Sequence, residues 1–216
     1  MTDQYRLVIF DLDGTLIDTM GSFADLAGCL IRDHYGWRFE IGRKRYLETS
    51  GVPFFQQLQT LFPNDTRNSK VANLFESLKI SDFVRETISE KTRETLLALR
   101  DKEIRTAISS NNFYDLVKDF VWREDVPIDL ALGFRQNFAK GQEHFDYISE
   151  YFSIPFGRML FVGDSLTDAK RSEERNIRFV AKIGTFTEME FGQVVNSKPL
   201  LCISKIHELL NILEIS

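Results

Sequence analysis

The spacing of apolar and polar positions divides the chain into stretches of different period. Leu7, Val8, Ile9 and Phe10 form an unbroken apolar run that ends at Asp11. A short continuous run of this kind fits a strand buried on both faces of a parallel sheet. From residue 20 to about 90 the period is helical. Phe23, Leu26, Ala27, Leu30 and Ile31 form one stripe, ended by Gly36, and a second helix is expected after Gly42. Gly51 and Pro53 punctuate the next junction. Phe54, Phe55, Leu58, Leu61 and Phe62 form a further stripe, closed by Pro63-Asn64-Asp65, and Val71, Leu74, Phe75 and Leu78 another. Several helices with short loops and no strand pattern predict a small helical subdomain.

Strands and helices alternate from about residue 90. The pattern predicts a helix over 92–102, a strand over 104–109, and a helix carrying Phe113, Leu116, Val117, Phe120 and Val121. It predicts a strand over 128–132, a helix over 141–152, and strands over 158–162 and 177–181. Residues 200–203 are expected at a sheet edge, with Ser204 capping a last helix through Ile206, Leu209, Leu210 and Leu213. Such alternation implies an α/β fold with a parallel sheet and right-handed crossovers.

The first strand runs into Asp11-Leu12-Asp13-Gly14. Ligands of open α/β sheets bind at the carboxyl ends of strands, and glycine permits a tight turn there. Two neighbouring carboxylates can hold Mg²⁺, a hard cation that prefers oxygen ligands. A carboxylate can also attack phosphorus. An ordinary surface turn uses the same residues, so the motif needs partners elsewhere in the chain.

Further polar residues fall at predicted strand ends. A hydroxyl at Ser109 can donate to a phosphoryl oxygen, or Ser109, Ser110 or Asn111 can cap the next helix. Lys140 stands just before a helix, where a lysine could offset clustered carboxylates or simply lie in solvent. Phe161-Val162-Gly163 delivers Asp164 as Phe10 delivers Asp11, which makes Asp164 a candidate metal ligand. Asp168, four residues on, faces the same way if a helix begins near Ser165, and is otherwise a first-turn helix acid. His34, His144 and His207 show no ligand spacing and read as surface or packing residues.

Composition narrows the field. The 216 residues are 43% hydrophobic and 27% charged, as expected of a soluble globular chain with a packed core. The 19 phenylalanines favour large buried contacts. A net charge of −5 argues against nucleic acid as partner, and Arg43-Lys44-Arg45 reads as solvated helix surface. Cys29 and Cys202 are too few for a disulfide framework or zinc set and read as small core residues of a protein in a reducing compartment. No apolar run nears the roughly 20 residues needed to cross a bilayer, so a cytoplasmic protein with no membrane partner is expected.

Taken in order, these residues resemble the haloacid dehalogenase-like superfamily in its phosphatase branch. Asp11-Leu12-Asp13-Gly14-Thr15-Leu16 matches its first motif, Ser109 the second, Lys140 the third, and Gly163, Asp164 and Asp168 the fourth. Gly141 stands where many members have proline, and Ser89-Glu90-Lys91-Thr92 where many have Pro-Gly. The resemblance implies a Rossmann-like core over residues 1–16 and 89–216, with a helical cap over 17–88. It implies Asp11 as nucleophile and Asp13 as acid and base. Phosphate would be held by Thr15, Lys140 and either Ser109 or Ser110. Mg²⁺ would be held by Asp11, Asp13 (also through its main-chain carbonyl) and Asp164, with Asp168 supporting. The implied activity is hydrolysis of a small phosphorylated metabolite through an aspartyl phosphate. A sugar phosphomutase of β-phosphoglucomutase type is the alternative with the same core. Asp13 argues against a haloacid dehalogenase. A phospho-acceptor signalling or binding module is the non-enzyme alternative, although receiver-type modules are shorter and lack an inserted cap.

Overall fold

The computed structural model of the protein describes residues 4–197 and 199–215. It divides into two compact units: one runs through Ile17 and resumes at Thr87, and the other is Asp18–Glu86.

The first unit begins with β1 (Leu7–Phe10), whose four side chains are all buried. The chain then passes through the helical unit, which contains α1 (Met20–Tyr35), α2 (Phe39–Glu48), α3 (Phe54–Leu61) and α4 (Asn68–Phe83). It returns through α5 (Glu90–Asp101), β2 (Arg105–Phe113), α6 (Tyr114–Arg123), β3 (Leu130–Phe134) and α7 (Gln142–Phe152). The remaining elements are β4 (Met159–Gly163), α8 (Leu166–Glu174), β5 (Arg178–Lys182), α9 (Glu188–Val194), β6 (Leu201–Ile203) and α10 (Leu209–Ile212). The strands form one parallel sheet in the order β3-β2-β1-β4-β5-β6. Strand order reverses at β1 and β4, and a crevice opens at such a switch point, beyond the strands' carboxyl ends.

Alternation along the strands sorts the core. Leu7 and Ile9 of β1, Met159 and Phe161 of β4 and Phe179 of β5 share one cluster with Phe145 and Ile148 of α7, Ala169 of α8 and Phe191 of α9. Phe161 meets Phe145 and Phe179 edge-on, with ring centroids 5.0 and 5.9 Å apart. Much of the chain's phenylalanine is thus spent in one continuous core, where offset and edge-on pairs add to plain burial.

In the helical unit, Gly36 ends α1 in the left-handed conformation, with its N–H on the Arg32 carbonyl. Gly42 does not precede the second helix; it lies inside α2. A Cβ there would come within 3.0 Å of Ile31, and one at Gly28 within 2.9 Å of Phe39. The two glycines let α1 and α2 pack closely, so Gly42 is a contact glycine rather than a helix boundary. Arg43, Lys44 and Arg45 pair with Asp25 and Glu48 on exposed helix surface, where such pairs contribute little.

Other expectations shift. The strand expected to end at Ser109 continues to Phe113, with an irregularity against β3 between those residues. Consequently none of Ser109, Ser110 or Asn111 caps α6; Phe113 occupies that position. β3 lies two residues later than expected. Ser204 is no N-cap: Lys205 holds that position before a single 3-10 turn, and Ser204 donates its N–H to Glu208. Helix α9 carried no strong stripe, but its signal was present in Thr187 and Glu190, which form a capping box. Cys29 and Cys202 are free and half-buried, Cys202 packing against the core cluster. Among the described residues no helix is long and apolar enough to cross a membrane.

Truncation of a fully buried phenylalanine costs about 3–5 kcal/mol. Phe161→Ala is therefore expected to lower the unfolding free energy by about that amount, read from the urea midpoint. A loss below about 1 kcal/mol would show that this ring is not central to the core.

Candidate active site

The site is built on the carboxyl ends of β1, β2 and β4. Phe10 pairs with Ile108 on one side and Val162 on the other. The ladder continues one residue further, with the Asp11 N–H donating to the Val162 carbonyl at 2.9 Å. Asp11 therefore stands level with Ser109 of β2 and Gly163 of β4, and Asp164 follows next to it. The chain then turns on Gly14, at φ 72°, and the Leu12 carbonyl accepts the N–H groups of Leu16 and Ile17 at 2.9 and 3.1 Å. Only a residue free to adopt positive φ closes this turn without strain.

The centre of the site is Lys140. Its ammonium is buried, 2.8 Å from Asp11 Oδ1 and 2.7 Å from Asp168 Oδ1. Burial alone would push the lysine's pKa down, but the Asp11 and Asp168 charges reverse that and hold it above its ordinary value. Asp11 Oδ1 also accepts the Leu12 N–H at 2.7 Å, which leaves Oδ2 without a hydrogen-bond partner among the described residues. Asp168 is fixed from its own helix, its N–H donating to the Ser165 N-cap hydroxyl at 3.1 Å. It packs so tightly on β4 that a Cβ at Gly163 would lie 2.8 Å from its Cβ. The glycine before Asp164 is thus required by Asp168.

The expected residues otherwise divide as follows. Asp13 is held from β2, where Asn112 Nδ2 donates to Asp13 Oδ2 at 2.8 Å. Thr15 Oγ1 is buried with no partner among the described residues. Ser109 Oγ lies 2.9 Å from His144 Nδ1, whereas Ser110 Oγ accepts the Asn112 N–H at 3.0 Å. Asp164 Oδ2 accepts from Thr185 Oγ1 at 2.7 Å. Sequence reasoning gave no role to Asn112, Thr185 or His144. His144 is wholly buried beside Ser109; no spacing rule reveals it, because the contact joins α7 to β2. Gly141, standing where many relatives have proline, adopts φ 120°. Proline is fixed near −65° and cannot take that conformation, so the departure is built into this backbone.

Comparison with known proteins agrees with this architecture. A family model described as haloacid dehalogenase-like hydrolase matches residues 8–182. The chain belongs to that family. This haloacid dehalogenase-like hydrolase is 25% identical over 211 residues to a protein of Caldanaerobacter subterraneus subsp. tengcongensis with the provisional name pyrophosphatase PpaX, across 96% of this chain and 94% of the relative. A structure provisionally described as phosphoglycolate phosphatase, from Lactobacillus delbrueckii subsp. bulgaricus, superposes with a TM-score of 0.81 at 16% identity, over 97% of this chain and 98% of that one. CbbY from Rhodobacter sphaeroides, in complex with xylulose-1,5-bisphosphate, superposes with a TM-score of 0.72 at 13% identity, over 95% and 96% of the two chains.

The hydrolase gathers carboxylate oxygens of Asp11, Asp164 and Asp168 within 4.8 Å of one another, all buried. Burial first, and the charge of Asp168 next, push Asp164 up to about 7, with the Thr185 hydroxyl opposing. Burial likewise drives Asp11 well above its ordinary value, with Lys140 opposing. Three buried acids face the Lys140 ammonium and, at 3.8 Å from Asp168, the Arg171 guanidinium, so one negative charge is left over when all three acids are ionised. An all-oxygen donor set with surplus negative charge fits a hard divalent cation. Asp11, Asp164 and Asp168 are all candidate side-chain ligands, with Lys140 engaging one oxygen each of Asp11 and Asp168.

A raised carboxylate pKa contributes stability below its unfolded value, and that stability is lost as pH rises through the folded value. His144 works in the opposite sense: burial, then the Lys140 charge, lowers it to about 3, so its effect is complete near its ordinary 6.5. From pH 6.5 to about 8 only the carboxylates act. Metal-stripped protein should therefore lose Tm over that window, and excess Mg²⁺ should reduce the loss. A flat or rising Tm in the stripped protein would contradict the strained acidic cluster.

Proposed function

We propose that this hydrolase is a Mg²⁺-dependent phosphatase of small phosphomonoesters, working through a phosphoryl group carried on Asp11. The supporting observation is the arrangement of Asp11. Oδ1 is pinned by Lys140 and the Leu12 N–H, and Oδ2 is left free, as a nucleophile requires. In the first step Oδ2 attacks phosphorus and the bond to the leaving oxygen breaks. Asp13, aimed by Asn112, supplies the proton that oxygen needs. In the second step Asp13 takes a proton from water as that water attacks the same phosphorus. The bond to Asp11 then breaks and inorganic phosphate leaves.

Lys140 and the hydroxyls of Ser109 and Thr15 are the groups proposed to hold the phosphoryl oxygens. Ser109 is preferred to Ser110, because strand register sets it level with Asp11 while Ser110 Oγ serves the Asn112 N–H. A bound Mg²⁺ would be held by Asp11, Asp164 and the main-chain carbonyl of Asp13, and would supply charge neutralisation at the phosphoryl group. Phosphoryl transfer depends chiefly on such positioning and neutralisation.

The names of two similar proteins, a pyrophosphatase and a phosphoglycolate phosphatase, and the xylulose-1,5-bisphosphate bound to CbbY concern compact phosphorylated molecules, in keeping with a small-metabolite substrate. The helical unit Asp18–Glu86 leaves the chain just after the Gly14 turn. We assign it the role of a cap that selects the substrate, as lids do in enzymes that exclude water.

Asp11→Asn should abolish turnover of a small aryl phosphate while the protein remains folded by circular dichroism. Asp13→Asn should lower kcat by about 10²–10⁴-fold. Wild-type turnover should vanish with EDTA and return with Mg²⁺. An active Asp11→Asn variant, or unimpaired hydrolysis in EDTA, contradicts the mechanism.

A further inference from the structure

His144 is unlike the other residues around the site. It lies in the first turn of α7, carries no surface exposure, and packs against Phe138 with ring centroids 4.6 Å apart and the rings tilted by 48°. Burial and the nearby Lys140 charge hold it neutral. A neutral imidazole has one N–H and one bare nitrogen, so its hydrogen-bond role depends on which nitrogen carries the proton. Nδ1 faces Ser109 Oγ at 2.9 Å. Nε2 is buried and makes no hydrogen bond among the described residues, although the carbonyls of Gly133 and Phe138 lie near the ring.

These facts rank the two tautomers. A proton on Nε2 would leave a buried donor without a well-formed bond among the described residues. It would also force the Ser109 hydroxyl to donate to Nδ1, and the serine would then show only lone pairs to an anionic phosphoryl group. A proton on Nδ1 leaves Nε2 a bare acceptor and removes the second problem. The ring donates to Ser109 Oγ, and the hydroxyl proton is released toward the site.

We propose that His144 is a positioning residue whose Nδ1–H makes Ser109 an obligate hydrogen-bond donor to the phosphoryl group. The proposal rests on the reading of Ser109 as a phosphoryl ligand. Histidine acts here through the serine and does not touch substrate. The arrangement explains why a titratable ring is buried in this place: it fixes the polarity of one hydroxyl. A serine rotor left to itself can donate or accept equally well.

The direct test is NMR of the wild-type protein carrying isotope-labelled histidine, with the His144 signals assigned by their loss in a variant. The expected result is a protonated Nδ1 and a bare Nε2 at neutral pH. A protonated Nε2 would overturn the proposal, whatever the enzyme's activity. The functional arm compares His144→Asn, whose amide nitrogen occupies the position of Nδ1, with His144→Leu, which has no donor. Affinity for inorganic phosphate, measured as product inhibition of aryl phosphate hydrolysis, should fall about ten-fold or more in H144L, the range of a hydrogen bond to a charged group. H144N should retain it within about three-fold. Equal losses in both variants would leave His144 a packing residue and overturn the proposal. Failure of the underlying reading looks different: a Ser109→Ala protein with normal phosphate affinity would remove Ser109 from the phosphoryl site, even with the tautomer as expected.

Discussion

The ammonium of Lys140, held between the carboxylates of Asp11 and Asp168, is the interaction on which the rest of the site depends. Burying an ion costs several kcal/mol, and the cost is offset only when opposite charge and good geometry await it. Here the compensation runs both ways. Asp11 and Asp168 keep the lysine charged, and the lysine lets two acids approach a third, Asp164, in a protein interior. Many smaller features follow from holding that triad. Gly163 is small because Asp168 packs against β4, and Ser165 caps α8 so that Asp168 starts its first turn at the right place. Gly141 takes a backbone conformation closed to proline immediately after the lysine.

Sheet topology brings these residues together from distant parts of the sequence. β1 lies at the middle of the sheet, next to both β2 and β4, so the residues following three strands meet in one crevice. The strands themselves are apolar and buried on both faces, which leaves their ends as the places where charge can be displayed. The carboxylates there are buried all the same. Asp11 shows the result: one oxygen is fixed by the lysine and a backbone N–H, while the other has no hydrogen-bond partner among the described residues. The fold thus gives the two oxygens of a single carboxyl group different surroundings.

Much of this was legible in the sequence because it is carried by local pattern. The apolar run Leu7–Phe10 ending in Asp11, and the repeat of that design at Phe161–Asp164, mark two strand ends without any structure. Helical periods separate the stretch from residue 20 to about 90 from the alternating part, while the helical unit of the structure is Asp18–Glu86. What sequence pattern did not show was pairing across distance. Asn112 reads as a loop residue until β2 is seen to continue to Phe113 and aim it at Asp13. His144 reads as helix packing until α7 sets it against Ser109. Gly42 reads as a helix boundary because its requirement comes from Ile31 on another helix. Lys140 was placed by a motif, but its burial between two acids was not visible in Phe138-Ala139-Lys140-Gly141.

The central claim is that the free oxygen of Asp11 becomes covalently bonded to phosphorus. Acid quenching during turnover of a small phosphomonoester, followed by peptide mass mapping, tests it most directly. The account predicts one phosphoryl group on the peptide containing Asp11, enriched in Asp13→Asn protein, where its hydrolysis is slowed. Continued turnover with no phosphoryl group on that peptide, or with one found on a different residue, would contradict it.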